Sequence, residues 1–149
     1  MRTRIKMCGM MRAIDISYAV SLGVDAIGFI FYELSSRDVR LDQVKHLVAH
    51  VPAFVDVVGV FIDPDPAFVS SAIKELPLQY LQFHRDETLS FCEQFDRPYV
   101  KAISAISDDT ICQAMRHYSS ASAVEKNNSI TAGAALIASM RHVMDKRIT

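Results

Sequence analysis

Cysteine is scarce in this sequence, and its scarcity excludes two kinds of site. The chain of 149 residues holds three cysteines, Cys8, Cys92 and Cys112, which lie far apart, form no C-x-x-C pair and have no histidine at metal-ligand spacing. An odd number of widely separated cysteines supports neither a disulfide framework nor a zinc site. We therefore expect no metal.

An excess of one charge is also lacking, as are long apolar runs and nucleotide-binding motifs. Sixteen Lys and Arg residues stand against seventeen Asp and Glu residues, so we expect no nucleic-acid partner. No apolar stretch approaches the roughly 20 residues that cross a bilayer, and the N-terminus lacks a signal-peptide pattern. We expect a cytoplasmic protein with no membrane contact. G-x-G-x-x-G and P-loop motifs are absent, so no nucleotide cofactor is specified.

The sequence does contain short apolar runs that alternate with longer segments of helical periodicity. Half of the residues are hydrophobic, which is enough for the core of one globular domain. The alternation predicts β/α units with parallel strands at 5–8, 26–31, 55–61, 80–83 and 99–103, and helices at 13–22, 41–49, 67–76, 88–95 and 109–118. Asp65 and Pro66 mark the clearest helix start. Five units suit a flavodoxin-like sheet, whereas an eight-unit barrel normally takes at least about 200 residues.

The carboxyl ends of parallel strands meet at one edge, where α/β proteins place their sites. Lys6 and Cys8 end the first strand on the same side, and an ammonium group together with a nearby helix N-terminus favours a thiolate. Such a thiolate is a candidate nucleophile or general base. The alternative for a lone cysteine is a buried, small apolar residue. Gly9 is predicted to let the backbone turn sharply, and a substrate approach closely, just beyond the thiol.

Other polar residues follow or end the later strands. Arg37 lies in the loop after the second strand, where its guanidinium either binds a carboxylate or phosphate or is simply solvated. Gln82 and His84 share one face of the fourth strand by alternation, and a histidine bonded to a backbone carbonyl is equally compatible with the pattern. Asp63 fits a turn, and Lys101 fits a single solvated residue of the fifth strand.

Five segments, taken in order, resemble a known family. "RIKMCGMMR", "DAIGFIFYELSSR", "VDVVGVFID", "LQYLQFH" and "YVKAIS" are similar to the first five β/α units of phosphoribosylanthranilate isomerase, over roughly residues 3 to 118. The most specific segment is the first, in which lysine, an apolar residue, cysteine and glycine precede an arginine that leads into a helix.

The resemblance implies an α/β fold, namely an incomplete (β/α)8 TIM barrel of about five β/α units, to which the residue pattern of the tail adds a C-terminal helix. It also implies the Amadori rearrangement of N-(5-phosphoribosyl)anthranilate, a small phosphorylated substrate of tryptophan biosynthesis, without a cofactor. In that family the motif cysteine removes the C2' proton, which assigns the general base to Cys8. The resemblance further implies that Arg37 meets the anthranilate carboxylate, and that Gln82 and His84 line the substrate pocket.

The resemblance ends near Ala123. The family's general acid, an aspartate that ends the sixth strand, and its glycine-rich phosphate loops after the seventh and eighth strands have no counterpart here. Glu125 lies close to the acid position, but no motif assigns it. Arg85 replaces the glycine usual after the histidine. We therefore predict a partial barrel domain at 1–123 and a divergent tail at 124–149, of the kind a frameshift produces, helical over 132–146. We expect little or no turnover from such a chain alone.

A barrel cut after five units leaves the first and fifth strands with unpaired edges. Such edges pair readily with other chains, so a homo-oligomer formed through them is one expected outcome, beside a partial barrel held by the tail helix. Two other functions stay open at this point. One is a flavodoxin-like or receiver-like binding module, although the first strand lacks the acidic residues of a receiver. The other is a non-catalytic remnant.

Overall fold

The computed structural model describes residues 2–104, 123–127, 134–136 and 138–139. Strands and helices alternate through the first of these ranges, as β/α units do. The elements are β1 (Ile5–Cys8), α1 (Ala13–Ser21), β2 (Ala26–Phe31), α2 (Leu41–Leu47), a 3-10 turn (Val48–His50), β3 (Asp56–Phe61), α3 (Pro66–Glu75), β4 (Tyr80–Phe83), α4 (Leu89–Glu93), β5 (Tyr99–Ser104), β6 (Ala123–Asn127), β7 (Ala134–Leu136) and β8 (Ala138–Ser139).

The order of the strands decides between the two predicted architectures. Strands β1 to β6 are neighbours in the same order as in the sequence, and each pairs in parallel with the next. A flavodoxin-like sheet has the order 2-1-3-4-5, because its chain winds in both directions from the first strand. The flavodoxin-like alternative is therefore wrong, and the sequential order is that of a (β/α) barrel.

The predicted elements agree with the structure to within two residues through β5, except for the fifth helix. That helix, predicted at 109–118, lies outside the described residues. The start of α3 forms as predicted, since the Asp65 side chain accepts a hydrogen bond of 2.7 Å from the Ala67 backbone N–H and Pro66 occupies the first turn. Thr88 caps α4 in the same way through the Phe91 N–H, at 3.2 Å.

The structure corrects two expectations about the end of the chain. A sixth parallel strand, β6, continues the sheet beside β5 and crosses the predicted boundary after residue 123. The helix predicted over 132–146 is wrong for residues 134–136 and 138–139, which form β7 and β8, and its other residues lie outside the described ranges. The alanine-rich pattern favours a helix only weakly, and open strand edges offer backbone hydrogen bonds that override it.

The edges that were expected to be unpaired are therefore occupied. β7 pairs antiparallel with β1, and β8 pairs antiparallel with β6. Residues 134–136 and 138–139 thus contribute one strand to each end of the parallel sheet. The homo-oligomer expected to form through exposed edges stays a prediction, and its structural premise is weaker than the sequence suggested.

Helices cover one face of the sheet and form the main core with it. Alternate strand residues point to that face and pack against α1, α2, α3 and α4. The buried residues at its centre include Ile16, Phe29, Phe61, Val69, Leu81 and Phe83. The other face carries a smaller apolar cluster of Ile30, Val58 and Val60, against which Cys8, Ala26, Tyr32 and Tyr80 pack. This second face is the inner face of the curled sheet.

Candidate active site

The inner face brings Lys6 and Gln82 together although their strands are not neighbours. Lys6 Nζ donates a hydrogen bond to Gln82 Oε1, and both residues are almost completely buried. In a flat sheet β1 and β4 would lie about 14 Å apart, three strand spacings of about 4.8 Å. The contact therefore requires a strongly curled sheet, which gives the inner face the character of a barrel interior.

Cys8 lies at the C-terminal end of β1 on the same inner face, as its spacing from Lys6 predicts. Its register partner in β2 is Gly28. A Cβ atom placed on Gly28 would lie 2.9 Å from Cys8 Sγ, which is too close for a real contact, and 3.3 Å from Cys8 Cα, which is tight. The Cys8 thiol therefore occupies the space that a side chain at position 28 would fill. The Cys8 side chain is half-buried.

Arg37 lies beside Cys8, although 29 positions separate them in the sequence. Its Nη1 atom donates a hydrogen bond of 3.1 Å to the Cys8 backbone carbonyl. The side chain crosses Gly9, where an added Cβ would come within 2.7 Å of Arg37 Cδ. Gly9 adopts φ +80°, so the predicted sharp turn is confirmed. The sequence suggested that a substrate approaches Gly9 closely. Within the described residues, the group that lies close to Gly9 is the Arg37 side chain.

The loop after β2 is built to hold Arg37 in this place. Asp38 Oδ1 accepts a hydrogen bond of 2.7 Å from the Tyr32 N–H, and the Val39 N–H returns to the Ile30 carbonyl at 3.0 Å. The Ser35 hydroxyl accepts from the Arg37 N–H at 3.1 Å. These bonds close the loop on itself, so the guanidinium projects from an ordered turn at the rim of the sheet.

Gln82 and His84 end the fourth strand as the alternation predicts. Gln82 is buried on the inner face with Lys6. His84 is half-buried and directly follows β4, and its backbone N–H donates to the Phe61 carbonyl at 3.1 Å. The four site residues predicted from the sequence, Cys8, Arg37, Gln82 and His84, thus all lie at or near the C-terminal ends of β1, β2 and β4.

Sequence reasoning missed Glu87 and misplaced Lys101. Lys101 is fully buried, so the expectation that it is solvated is wrong; its Nζ atom bonds Glu87 Oε2 at 2.5 Å and the Arg85 carbonyl. The Glu87 carboxylate is also buried and accepts from the backbone N–H groups of Asp63 and Arg85, at 3.1 Å and 3.0 Å. A lysine inside an otherwise apolar strand was the signal in the sequence, because a buried ammonium needs a buried acid.

The electrostatics of this pair fix its ionised form. Burial raises the pKa of the Glu87 carboxyl, but the hydrogen bonds from Lys101 and the Arg85 N–H, together with the Lys101 charge, outweigh burial, so the pKa is lowered. Glu87 is therefore a carboxylate at neutral pH.

The remaining candidates are placed as follows. Asp63 follows β3 with φ +43°, and its Oδ2 atom pairs with Arg85 Nη1 at 3.1 Å, consistent with a turn. Glu125 lies in β6 with Ala102 of β5 as its register partner. Cys92 belongs to the main core, and burial raises the pKa of its thiol to about 11, so it is an inert thiol at neutral pH.

Within the described part of the chain, no group of three or more His, Cys, Asp or Glu residues could hold a metal ion. None of the helices described there is long and apolar enough to cross a membrane.

Comparison with known proteins gives one consistent result. The sequence profile of the N-(5'-phosphoribosyl)anthranilate (PRA) isomerase family matches residues 5–129. The chain is 48% identical over 123 residues to N-(5'-phosphoribosyl)anthranilate isomerase of Legionella pneumophila (strain Paris), which aligns 83% of this chain with 59% of that protein. The chain thus spans less than two thirds of the length of this relative.

Two solved structures share the fold. The phosphoribosyl anthranilate isomerase of Thermotoga maritima superposes with a TM-score of 0.79 at 24% identity, covering 87% of this chain and 64% of that one. A phosphoribosyl anthranilate isomerase in complex with reduced 1-(o-carboxyphenylamino)-1-deoxyribulose 5-phosphate gives a TM-score of 0.77 at 24% identity, covering 85% and 66%.

Proposed function

The chain belongs to the N-(5'-phosphoribosyl)anthranilate isomerase family, and we propose that the rim formed by the C-terminal ends of its parallel strands is part of that enzyme's active site. This part binds the anthranilate group and removes the proton. The family catalyses an aldose-ketose rearrangement. The single observation that carries the proposal is the hydrogen bond from Arg37 Nη1 to the Cys8 backbone carbonyl, which fixes a cation at the residue that carries the thiol.

In this proposal Cys8 is the general base. The ribose ring of the substrate opens as its ring oxygen gains a proton, and the resulting iminium makes the C2' hydrogen acidic. Cys8 takes that proton, the electrons of the C–H bond form the enamine, and tautomerisation yields the ketose. The half-buried thiol at the rim, held in the space over Gly28, supports this role.

Arg37 binds the anthranilate carboxylate in the same proposal. A guanidinium presents two parallel N–H groups to a planar carboxylate, and here the fork is held by an ordered loop. Gln82 and His84 complete the wall of the pocket at the end of β4. The general acid and the phosphate site are not assigned within the described residues; Glu125, in β6, is the residue to test for the acid.

The test is turnover of phosphoribosylanthranilate by the purified 149-residue chain, followed by the loss of substrate fluorescence. We expect Cys8→Ala to abolish whatever turnover the chain has, since general-base catalysis contributes about 10² to 10⁴-fold. Cys92→Ala is the matched control, because it also removes a thiol but from the core, and it should keep the rate of the folded wild type.

Binding separates a weak enzyme from a wrong assignment. The probe is reduced 1-(o-carboxyphenylamino)-1-deoxyribulose 5-phosphate, titrated into the wild-type chain and into Arg37→Ala. We expect measurable binding that Arg37→Ala weakens. Binding without turnover would identify a non-catalytic member of the family, which is the second candidate function. An absence of both would overturn the proposed function. The predicted cytoplasmic location stays a prediction.

A further inference from the structure

The buried Glu87 carboxylate joins three successive β/α units. Its Oε1 atom accepts from the Asp63 N–H, which follows β3. Its Oε2 atom accepts from the Arg85 N–H, which follows β4, and from Lys101 Nζ in β5. One side chain therefore binds the backbone of two rim loops and the side chain of the next strand.

The bonds surround the position of His84. The His84 N–H donates to the Phe61 carbonyl, which fixes the residue to the end of β3. Immediately after it, the Arg85 N–H donates to Glu87, and the Arg85 carbonyl accepts from Lys101 Nζ. The backbone on the C-terminal side of His84 is thus held at both its donor and its acceptor by the Glu87–Lys101 pair.

Arg85 extends the same connection toward the loop that carries Arg37. Its guanidinium pairs with Asp63 at 3.1 Å and lies 5.9 Å from the centre of the Tyr32 ring. Tyr32 packs against the inner apolar cluster beside Cys8 and belongs to the loop after β2. A series of contacts therefore connects the Glu87–Lys101 pair in and near β5, through Arg85, to Tyr32 in the loop after β2.

Packing alone does not require two charges at this place. Apolar side chains would fill the same space without the cost of desolvating a carboxylate and an ammonium group. They would not, however, accept hydrogen bonds from the N–H groups of two separate loops. The Glu87–Lys101 pair thus fixes the orientation of these two loops, which an apolar pair would not do.

We propose that Glu87 is a positioning residue of the candidate active site, which holds the loops after β3 and β4 so that His84 keeps its place next to Gln82. This inference rests on the proposed function, because only that function gives His84 a substrate to meet. Glu87 itself touches no substrate in this arrangement and acts through the backbone on either side of Arg85.

The experiment compares two buried acids at opposite ends of the sheet. Glu87→Gln removes the charge and one strong acceptor while it keeps the volume. Asp25→Asn is the matched control, since Asp25 is also buried, accepts from the Ile5 N–H at 2.8 Å and pairs with Arg2, but lies at the N-terminal end of β2. The double variant Glu87→Gln/Lys101→Met removes both charges, so it leaves no unpaired ion if the single variant fails to fold.

Two readouts are measured on the full chain: the pH titration of the His84 imidazole by NMR, identified with His84→Gln, and the affinity for the reduced product analogue. We expect the Glu87 variants to shift the midpoint of the His84 titration. We also expect them to lower the affinity for the analogue by on the order of tenfold to a hundredfold, because site groups that are out of place lose contacts with the ligand. Asp25→Asn should lower stability and leave both readouts at their wild-type values.

The proposal is overturned if the Glu87 variants lower stability alone, or if Asp25→Asn moves the His84 titration as much as they do. If the wild-type chain neither binds the analogue nor turns over the substrate, the proposed function fails, and the His84 titration in the Glu87→Gln/Lys101→Met variant, whose net charge is unchanged, still decides whether the pair positions this residue.

Discussion

At the scale of single residues, the place of the Cys8 thiol depends on an atom that Gly28 does not have. Gly28→Ala would put a Cβ 2.9 Å from Cys8 Sγ and 3.3 Å from Cys8 Cα. We expect the thiol to be pushed out of its pocket, so that iodoacetamide alkylates Cys8 faster while turnover falls. Overpacking should also lower the free energy of unfolding by about 1 to 3 kcal/mol.

Gly59→Ala is the control for this prediction. Its added Cβ would lie 2.8 Å from a Phe61 ring atom and 2.9 Å from Leu78 Cδ1, so it overpacks the helix-covered face and leaves Cys8 alone. Alkylation is counted at each cysteine by mass spectrometry, with the buried Cys92 thiol, of pKa about 11, as an internal reference that should stay unlabelled. Equal Cys8 labelling in the two alanine variants would show that Gly28 does not set the position of the thiol.

At the scale of elements, helix α3 is stabilised at its start by the capping residue Asp65. Asp65 Oδ1 satisfies the Ala67 N–H at 2.7 Å, one of the donors that a helix start leaves without a partner. Asp65→Ala should therefore lower the free energy of unfolding by about 1 kcal/mol, measured by urea denaturation. Asp65→Asn keeps an oxygen acceptor and should recover most of the loss; if it is as unstable as the alanine variant, the cap contributes little.

The elements also show how far sequence reasoning reaches. Through β5 the pattern of apolar residues was sufficient, because it divides into separate runs, and local signals such as the Asp65 cap and the Gly9 turn mark some of their boundaries. The site residues Cys8 and Arg37 could be placed on one rim because parallel strands align their ends. Their contact across Gly9 could not be predicted, since it depends on how the loop after β2 folds back.

The errors came from interactions between distant segments. Residues 134–136 read as helix because alanine and leucine favour helices locally, but pairing with β1 decided their conformation. Lys101 read as a solvated residue because its partner, Glu87, lies 14 positions earlier in a loop. In both cases the two partners are far apart in the sequence, and only the folded chain shows that they are in contact.

At the scale of the whole molecule, buried acids stabilise both ends of the sheet, and this makes stability depend on pH. The Arg2 side chain and the Ile5 N–H lower the pKa of Asp25 at the N-terminal end. At the C-terminal end, burial raises the pKa of the Glu87 carboxyl, but the hydrogen bonds from Lys101 and the Arg85 N–H, together with the Lys101 charge, outweigh burial, so the pKa lies below its ordinary value. The unfolded chain therefore binds these protons at a higher pH than the folded chain does.

Acid should consequently favour the unfolded state. At a pH above the ordinary pKa range of carboxyl groups, both acids contribute fully to the free energy of unfolding. We expect this contribution to fall as the pH drops below about 4.5 toward their folded-state pKa values. Urea denaturation at a series of pH values measures this slope. Glu87→Gln should flatten it, at a cost near neutral pH of about 3 to 5 kcal/mol for leaving Lys101 without its partner. An equal slope in Glu87→Gln and in the wild-type chain would show that Glu87 is not the group that acid titrates.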